Sequence, residues 1–151
     1  EIINKKVKAA LGAGLKVILC VGEPLAVRKK GIPAAQRFVQ KQLADVLRGI
    51  YNLKPTTYNL IVAYEPVWAI STAKNARPDT PESAAEMTRF IKKTLKAISY
   101  KLKAKVLYGG SVTSKSALRF LMREEIDGAL VGGASTKVGE FRKIIKVCSE
   151  L

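Results

Sequence analysis

The sequence alternates between short, uninterrupted apolar runs and segments with helical periodicity, and this alternation constrains the fold more than any other feature. The apolar runs comprise residues 17–21, 60–64, 106–108 and 129–131. Because these runs lack the polar alternation of a half-solvated strand, they indicate strands that are buried on both faces. Buried strands separated by helices predict an α/β protein with a parallel sheet and right-handed crossovers.

Five helices are predicted around these four strands. The first has Ile3, Val7 and Leu11 at four-residue steps, and it closes at Gly12 and Gly14. The others are predicted after Pro33, after the Thr80-Pro81-Glu82 start, after a Ser114 cap, and near the C-terminus with Val138, Phe141, Ile145 and Cys148 as its apolar residues. The order αβαβαβαβα is typical of a small open sheet or of half an eight-stranded barrel.

Length and composition place the chain among single globular domains. It has 151 residues, of which 48% are hydrophobic, so a sizeable core is available and a disordered chain is excluded. Its apolar runs are far shorter than the roughly 20 residues that a membrane-spanning helix requires. The two cysteines form no CxxC pair, and the N-terminal residues lack the apolar core of a secretion signal. We therefore expect no membrane association and a cytoplasmic location.

The ionisable residues narrow the possible chemistry. The chain contains no histidine, which excludes every mechanism that would need one from this chain, and we expect neither a metal nor a cofactor. The formal charge of +15 is compatible with nucleic acid, acidic membrane or an anionic substrate as partner. Because the basic residues are scattered and no stacking aromatic residues accompany them, we favour solvated helix faces and expect no nucleic-acid partner.

The residues that follow the four apolar runs are candidates for a site, because parallel strands present their carboxyl ends at one edge. These ends are Gly22-Glu23, Glu65-Pro66-Val67-Trp68, Gly109-Gly110-Ser111 and Gly132-Gly133-Ala134-Ser135. Two glycine-rich turns leading into helices indicate a phosphate cradle of backbone amides, although such turns also occur for conformational reasons alone. Glu65 directly follows a buried strand, which is compatible with a base at the rim or with a structural ion pair.

Three sequence segments are more specific than the strand-end pattern, and through them the chain resembles the triosephosphate isomerase family. They are Ala63-Tyr64-Glu65-Pro66-Val67-Trp68-Ala69-Ile70, Tyr108-Gly109-Gly110-Ser111-Val112 and Gly128-Ala129-Leu130-Val131-Gly132-Gly133-Ala134-Ser135. The resemblance implies a TIM (β/α)8 barrel of about 250 residues. Residues 1–151 would supply its last four βα units as a single partial domain, and its N-terminal half is absent from this sequence.

The resemblance also implies roles for individual residues. Glu65 would be the catalytic base that interconverts dihydroxyacetone phosphate and glyceraldehyde 3-phosphate, a reaction of glycolysis and gluconeogenesis. Backbone amides would hold the substrate phosphate; they belong to Ser71, Ser111, Gly132 and Gly133. A closing lid would extend over residues 66–76, with hinges at Pro66-Val67-Trp68 and at Lys74-Asn75-Ala76.

Contacts of the lid follow from the same resemblance. In the closed lid, the hydroxyl of Tyr108 would bind the Ala76 amide and that of Ser111 the Ala73 amide. The indole of Trp68 would exchange its partner between Glu23 and Tyr64.

The sequence departs from the family pattern within the lid. The usual Ile-Gly-Thr-Gly-Lys reads Ile70-Ser71-Thr72-Ala73-Lys74, and Arg77-Pro78-Asp79-Thr80-Pro81 lengthens the exit. Since the family's first half carries an asparagine, a lysine, a histidine and a glutamate of the site together with its dimer-forming loop, we expect a fragment that is inactive alone and part of a homodimer when complete. Another phosphate-binding barrel enzyme and a basic nucleic-acid-binding domain are the alternatives.

Overall fold

The computed structural model describes residues 1–50, 60–73, 76–98 and 104–151, so the predicted hinge residues Lys74 and Asn75 lie outside the described residues. Six helices and three strands are found there. In chain order they are α1 (Ile2–Gly12), β1 (Val17–Val21), α2 (Leu25–Arg28), α3 (Ile32–Leu47), β2 (Leu60–Tyr64), α4 (Pro81–Ile98), β3 (Lys105–Tyr108), α5 (Ala117–Leu121) and α6 (Val138–Ser149). Two short 3₁₀ turns, Val67–Ala69 and Gly133–Thr136, follow strand ends.

The three strands form one parallel sheet in the order β1-β2-β3, as the alternation predicted. Their register pairs Val21 with Tyr64 and Tyr64 with Tyr108, so the strands end level with one another. The residues that follow each strand are therefore brought to the same edge of the sheet.

The fourth predicted strand is reduced to a single bridge. Tyr108 pairs with Ala129, and the Leu130 amide donates to the Tyr108 carbonyl at 2.9 Å. The prediction of a full strand over 129–131 was wrong, because within the described residues this run has a partner on one side only and the Gly132-Gly133 turn follows at once.

The two faces of the sheet differ in burial, which corrects the expectation of strands buried on both. On the face covered by helices, residues such as Val62, Tyr64 and Val106 are fully buried. On the opposite face Ile18 is 47% exposed and Cys20 is also exposed. Apolar runs indicate that both faces require cover, yet the described part of this chain covers one.

The helices divide the molecule into two sides. We call β1, β2 and helices α2 to α4 the packed side, where α3 and α4 contribute fully buried residues, namely Ala35, Val39, Leu43, Leu47, Ala84, Met87 and Ile91. We call residues 126–151 the open side. There, the predicted apolar residues of α6 lie largely in solvent: Val138 is 76% exposed and Ile145 is 52% exposed.

Local signals at the helix starts had mixed outcomes. The predicted cap of α4 is confirmed, since the Thr80 Oγ1 accepts a hydrogen bond from the Ser83 amide at 3.2 Å. Ser114 does not cap α5, which begins three residues later, because its hydroxyl donates instead to the Glu140 carboxylate at 2.9 Å. Among the described residues, none of the helices has both the length and the apolar character needed to cross a membrane.

Candidate functional site

Glu65 extends β2 by one residue beyond the sheet. Its amide donates to the Val21 carbonyl at 2.8 Å, and the Gly109 amide donates to the Tyr64 carbonyl at 2.8 Å. These bonds fix the backbone of the residue at the carboxyl edge of the sheet. The carboxylate is half-buried there rather than turned into the helical layer.

Two glycines make this position of Glu65 possible. A Cβ on Gly22 would lie 1.9 Å from the Glu65 carbonyl oxygen, and a Cβ on Gly109 would lie 2.5 Å from the Glu65 Cγ. Both distances are far below van der Waals contact, so neither position accepts another residue without displacing Glu65. The glycines thus act by close approach of the backbone.

A cavity of about 580 Å³ lies beside Glu65 and joins the predicted site residues. Its lining includes Glu65, Ser71, Ser111, Gly132 and Gly133. Across the described ranges, the backbone amides of Ser71, Gly132 and Gly133 have no acceptor in the protein. Free amides on two loops that face one cavity are suited to an anion, because N–H groups can approach it without a side chain between them.

Ser111 is engaged by the segment that follows β2. Both its amide and its hydroxyl donate to the Ala69 carbonyl, each at 2.9 Å. Its amide, predicted to face the phosphate, is therefore occupied in this structure. The predicted partner of its hydroxyl, the Ala73 amide, donates to the Ile70 carbonyl at 2.9 Å, so the structure shows the lid without this closure bond.

A buried carboxylate organises the first hinge. Glu23 is fully buried and accepts the Trp68 indole N–H at 2.9 Å and the Tyr64 hydroxyl at 3.2 Å. Arg28 Nη1 lies 3.4 Å from the Glu23 Oε1, and the guanidinium stands 5.2 Å from the centre of the Trp68 ring. Of the two indole partners implied by the resemblance, Trp68 therefore contacts Glu23 in this structure.

Arg28 was not singled out from the sequence, in which it is one of the scattered basic residues expected on solvated helix faces. Its guanidinium also donates to the Ser83 hydroxyl, which in turn donates to the Asp79 Oδ1 at 2.6 Å. A polar chain therefore connects the hinge at Trp68 to the segment just beyond the lid. The four-residue helix α2 positions Arg28, and a helix this short leaves no periodic pattern in the sequence.

The base of the lid is closed by a backbone hydrogen bond. The Arg77 amide donates to the Trp68 carbonyl at 2.8 Å. Residues 68 and 77, at the two ends of the predicted lid, are thereby held together. The ring of Tyr108 stacks on that of Phe120, with 4.3 Å between ring centres.

Burial dominates the titration of groups around the site. Although Cys20 is exposed at the surface, its thiol is partly desolvated, and this desolvation together with the neighbouring Glu65 carboxylate raises the pKa of the thiol to about 11. Burial also raises the pKa of the Tyr64 and Tyr108 phenols, which face the carboxylates of Glu23 and Asp79 respectively. The thiol and the two phenols are therefore neutral at physiological pH. Of the three carboxylates beside them, Glu23, Asp79 and Glu65, it is Glu65 that lines the cavity.

Glu140 and Lys137 also line the cavity and were not singled out from the sequence. The Ser114 hydroxyl donates to Glu140, which ties the start of α6 to the loop after β3 and lowers the pKa of Glu140. Within the parts of the chain that the structure describes, no group of three or more His, Cys, Asp or Glu residues could hold a metal ion.

Comparisons with known proteins show the family to which the chain belongs. The family model for triosephosphate isomerase matches residues 1–148. Three similar proteins, each called triosephosphate isomerase, come from Carboxydothermus hydrogenoformans (43% identical over 150 residues), Acidithiobacillus ferrooxidans (44% over 148) and Thermus thermophilus (40% over 149). Each alignment covers 97% of this chain but 57%, 54% and 57% of the respective relative. The chain therefore spans about half the length of the curated relatives that it matches, and it belongs to the triosephosphate isomerase family.

Proposed function

We propose that this chain supplies the proton-transfer base and the phosphate cradle of a triosephosphate isomerase. The observation that carries the proposal is that the Glu65 carboxylate and the free amides of Ser71, Gly132 and Gly133 line one cavity. A triose phosphate held by its phosphate on those amides would bring its carbon chain toward Glu65. The substrate pair is dihydroxyacetone phosphate and glyceraldehyde 3-phosphate.

The reaction is a proton transfer between two adjacent carbons. The Glu65 carboxylate takes a proton from the carbon next to the carbonyl, the electron pair moves into an enediolate, and the protonated Glu65 returns the proton to the neighbouring carbon. A second proton passes from the hydroxyl oxygen to the former carbonyl oxygen, and by the resemblance the histidine of the N-terminal half would transfer it. With both transfers the atoms balance within the substrate, so no co-reactant is required. The lid contributes by excluding water from the enediolate, and Gly109 contributes by leaving room for the Glu65 side chain.

The complete activity requires residues that this chain does not contain. The exposed face of the sheet, with Ile18 and Cys20, and the exposed apolar residues of α6 are surfaces that an N-terminal half would cover. Residues 1–151 would then form the second part of one barrel domain. We further propose that the completed enzyme is a homodimer, acts in the cytoplasm in glycolysis and gluconeogenesis, and has neither a nucleic-acid nor a membrane partner.

Complementation tests the proposal. The chain is co-expressed with the N-terminal half of a related triosephosphate isomerase, and isomerisation of glyceraldehyde 3-phosphate is measured. We expect activity from the pair and none from either half. Glu65→Gln should reduce kcat by roughly 10² to 10⁴, the usual contribution of a positioned general base.

The matched control is Asp45→Asn, which neutralises an exposed carboxylate on α3. This carboxylate pairs with Lys41 and Arg48 and is not among the residues that line the cavity. It should retain the activity of the parent pair. Equal activity of the parent and Glu65→Gln would contradict the role of Glu65. Full activity of the isolated chain would contradict the need for a second half.

The alternative of a different phosphate-binding barrel enzyme was motivated by the glycine turns alone. Membership of the triosephosphate isomerase family displaces it. A competition measurement tests the point: a triose phosphate should displace inorganic phosphate from the completed barrel at lower concentration than a hexose phosphate does.

A further inference from the structure

Ser71 carries a side chain at a lid position where the family pattern has glycine. In the structure its Oγ lies 4.0 Å from the place that a Cβ on Gly133 would occupy. The hydroxyl therefore faces the second glycine turn from the other wall of the same cavity. A backbone amide at this position was already predicted to contact phosphate, whereas the hydroxyl is a feature of this chain.

The hydroxyls around the cavity differ in whether they have partners. Of the hydroxyls that line it, Ser111 donates to the Ala69 carbonyl, and Thr113 shares a hydrogen bond of 3.2 Å with the Ser116 hydroxyl. Beside the lining, Ser135 and Thr136 donate to the carbonyls of Gly132 and Gly133, at 2.8 Å and 2.9 Å. The Ser71 hydroxyl has no hydrogen-bond partner among the described residues, so of these five groups it is the one whose proton is available to a ligand.

The charges of the residues that line the cavity determine how much this hydroxyl could contribute to anion binding. Two carboxylates, Glu65 and Glu140, line the cavity, against one cation, Lys137. Because the two carboxylates outnumber the lysine among these lining residues, neutral donors directed at an anion would strengthen its binding. Hydrogen bonds to an ionised oxygen are shorter and about twice as strong as those between neutral groups.

We propose that the Ser71 hydroxyl is a binding residue for the substrate phosphate, donating to a terminal phosphate oxygen that the amides of Gly132 and Gly133 also approach. Ser71 then contributes two donors, its amide and its Oγ, where a glycine contributes one. The ligand class is a phosphate monoester or inorganic phosphate as a dianion. The inference rests on the proposed function, because the completed barrel must bind a triose phosphate in this cavity.

The test uses the chain completed by an N-terminal half and compares Ser71→Ala, Ser71→Gly and Ser71→Thr. Inorganic phosphate is titrated calorimetrically, and kcat and KM are measured for glyceraldehyde 3-phosphate. Ser71→Ala should weaken phosphate binding and raise KM by about ten-fold, the effect of losing one hydrogen bond to a charged group, while kcat changes by less than about two-fold. Ser71→Gly should show the same loss, and Ser71→Thr, which keeps a hydroxyl, should bind phosphate like the parent.

Two controls separate the possible outcomes. Ser149→Ala removes a hydroxyl that bonds to the Lys146 carbonyl at the end of α6, and it should bind phosphate like the parent. Turnover of unphosphorylated glyceraldehyde should be the same in the parent and in Ser71→Ala, since that substrate has no phosphate to contact.

Parent-like phosphate binding by Ser71→Ala would overturn the inference. So would a weakening that Ser71→Gly restores, because the Cβ rather than the hydroxyl would then be responsible. Retention of full activity by Glu65→Gln would instead count against the proposed function, and it leaves the phosphate titration of the Ser71 variants to decide the inference separately.

Discussion

The packed side and the open side arise from the same sequence pattern but differ in what the pattern achieves. On the packed side, the apolar residues of α3 and α4 are fully buried and the strand ends meet in register. On the open side, α6 has an equally periodic set of apolar residues, yet Ile144 is its single buried residue. Periodicity therefore determines that a helix forms, whereas burial depends on a neighbour that the segment itself does not encode.

This difference also divides the candidate site. Glu65 belongs to the packed side, held between Gly22 and Gly109. Gly132 and Gly133 belong to the open side, where exposed backbone follows a single bridge. The base is thus positioned by contacts within this chain, while two of the three amides of the cradle lie where packing is sparse. Substitutions on the two sides should consequently differ in their effect on stability.

The largest difference is expected between two glycine substitutions. Gly22→Ala should lower the free energy of unfolding by about 3 kcal/mol or more, because its Cβ would meet the Glu65 carbonyl, a backbone atom that cannot rotate away. Gly139→Ala, on α6 with no atom within 4 Å of the new Cβ, should instead raise it by about 0.5 kcal/mol through helix propensity. Urea unfolding followed by circular dichroism measures both. Equal effects would show that the packed side is not the tighter of the two.

The next difference concerns ion pairs. Arg28→Met should lower the free energy of unfolding by about 3 kcal/mol, because it leaves the fully buried Glu23 without its cation. Lys143→Met breaks the 3.8 Å pair with Glu140, in which the lysine side chain is 69% exposed, and should change the same quantity by less than about 0.5 kcal/mol. The Trp68 fluorescence spectrum, from the one tryptophan of the chain, should shift with Arg28→Met alone. A small effect of Arg28→Met would mean that Tyr64 and Trp68 suffice to satisfy Glu23.

The smallest difference concerns how stability depends on pH, because Asp79 and Glu140 should change it in opposite directions. Burial raises the pKa of Asp79 above its ordinary 3.8, and its Oδ2 is buried without a hydrogen-bond partner among the described residues. The folded state therefore holds the proton more tightly than the unfolded state, so the contribution of Asp79 to stability is complete below pH 3.8 and is lost as pH rises through the folded pKa. Asp79→Asn should stabilise the protein at pH 7 by about 1 kcal/mol.

Glu140 should behave in the opposite way. Its pKa is lowered below 4.5 by hydrogen bonds from Ser114, so its contribution is present above pH 4.5 and is lost as pH falls through the folded pKa. Glu140→Gln should therefore destabilise the protein at pH 7, and its thermal midpoint should approach that of the parent in acid. Thermal midpoints between pH 3 and pH 7 test both variants. Parallel pH profiles for Asp79→Asn and Glu140→Gln would refute the assignment.

Much of the fold could be predicted because the signals are local. The apolar runs give the strands and their parallel order, and Thr80 with Pro81 gives the start of α4. What failed were statements that depend on partners. The run 129–131 does not form a ladder, and Ser114 bonds to Glu140, 26 residues away, instead of capping α5.

The same limit applies to the site. Glu65 and the two glycine turns were predicted because they follow the carboxyl ends of parallel strands and because the chain resembles the family. In the structure they line one cavity. The hydrogen bond from Arg28 to Ser83, and those from Ser111 to Ala69, join segments distant in sequence. Such contacts follow from tertiary packing, for which a single sequence holds no periodic signal.

The hydrogen bond from the Arg77 amide to the Trp68 carbonyl bears on where the chain beside the cavity can vary in length. It joins the two ends of the predicted lid, and residues 77–80 lead from it to the start of α4. Residues inserted or deleted between this bond and α4 would leave the joined ends in place, so we expect length differences among related chains to be tolerated there.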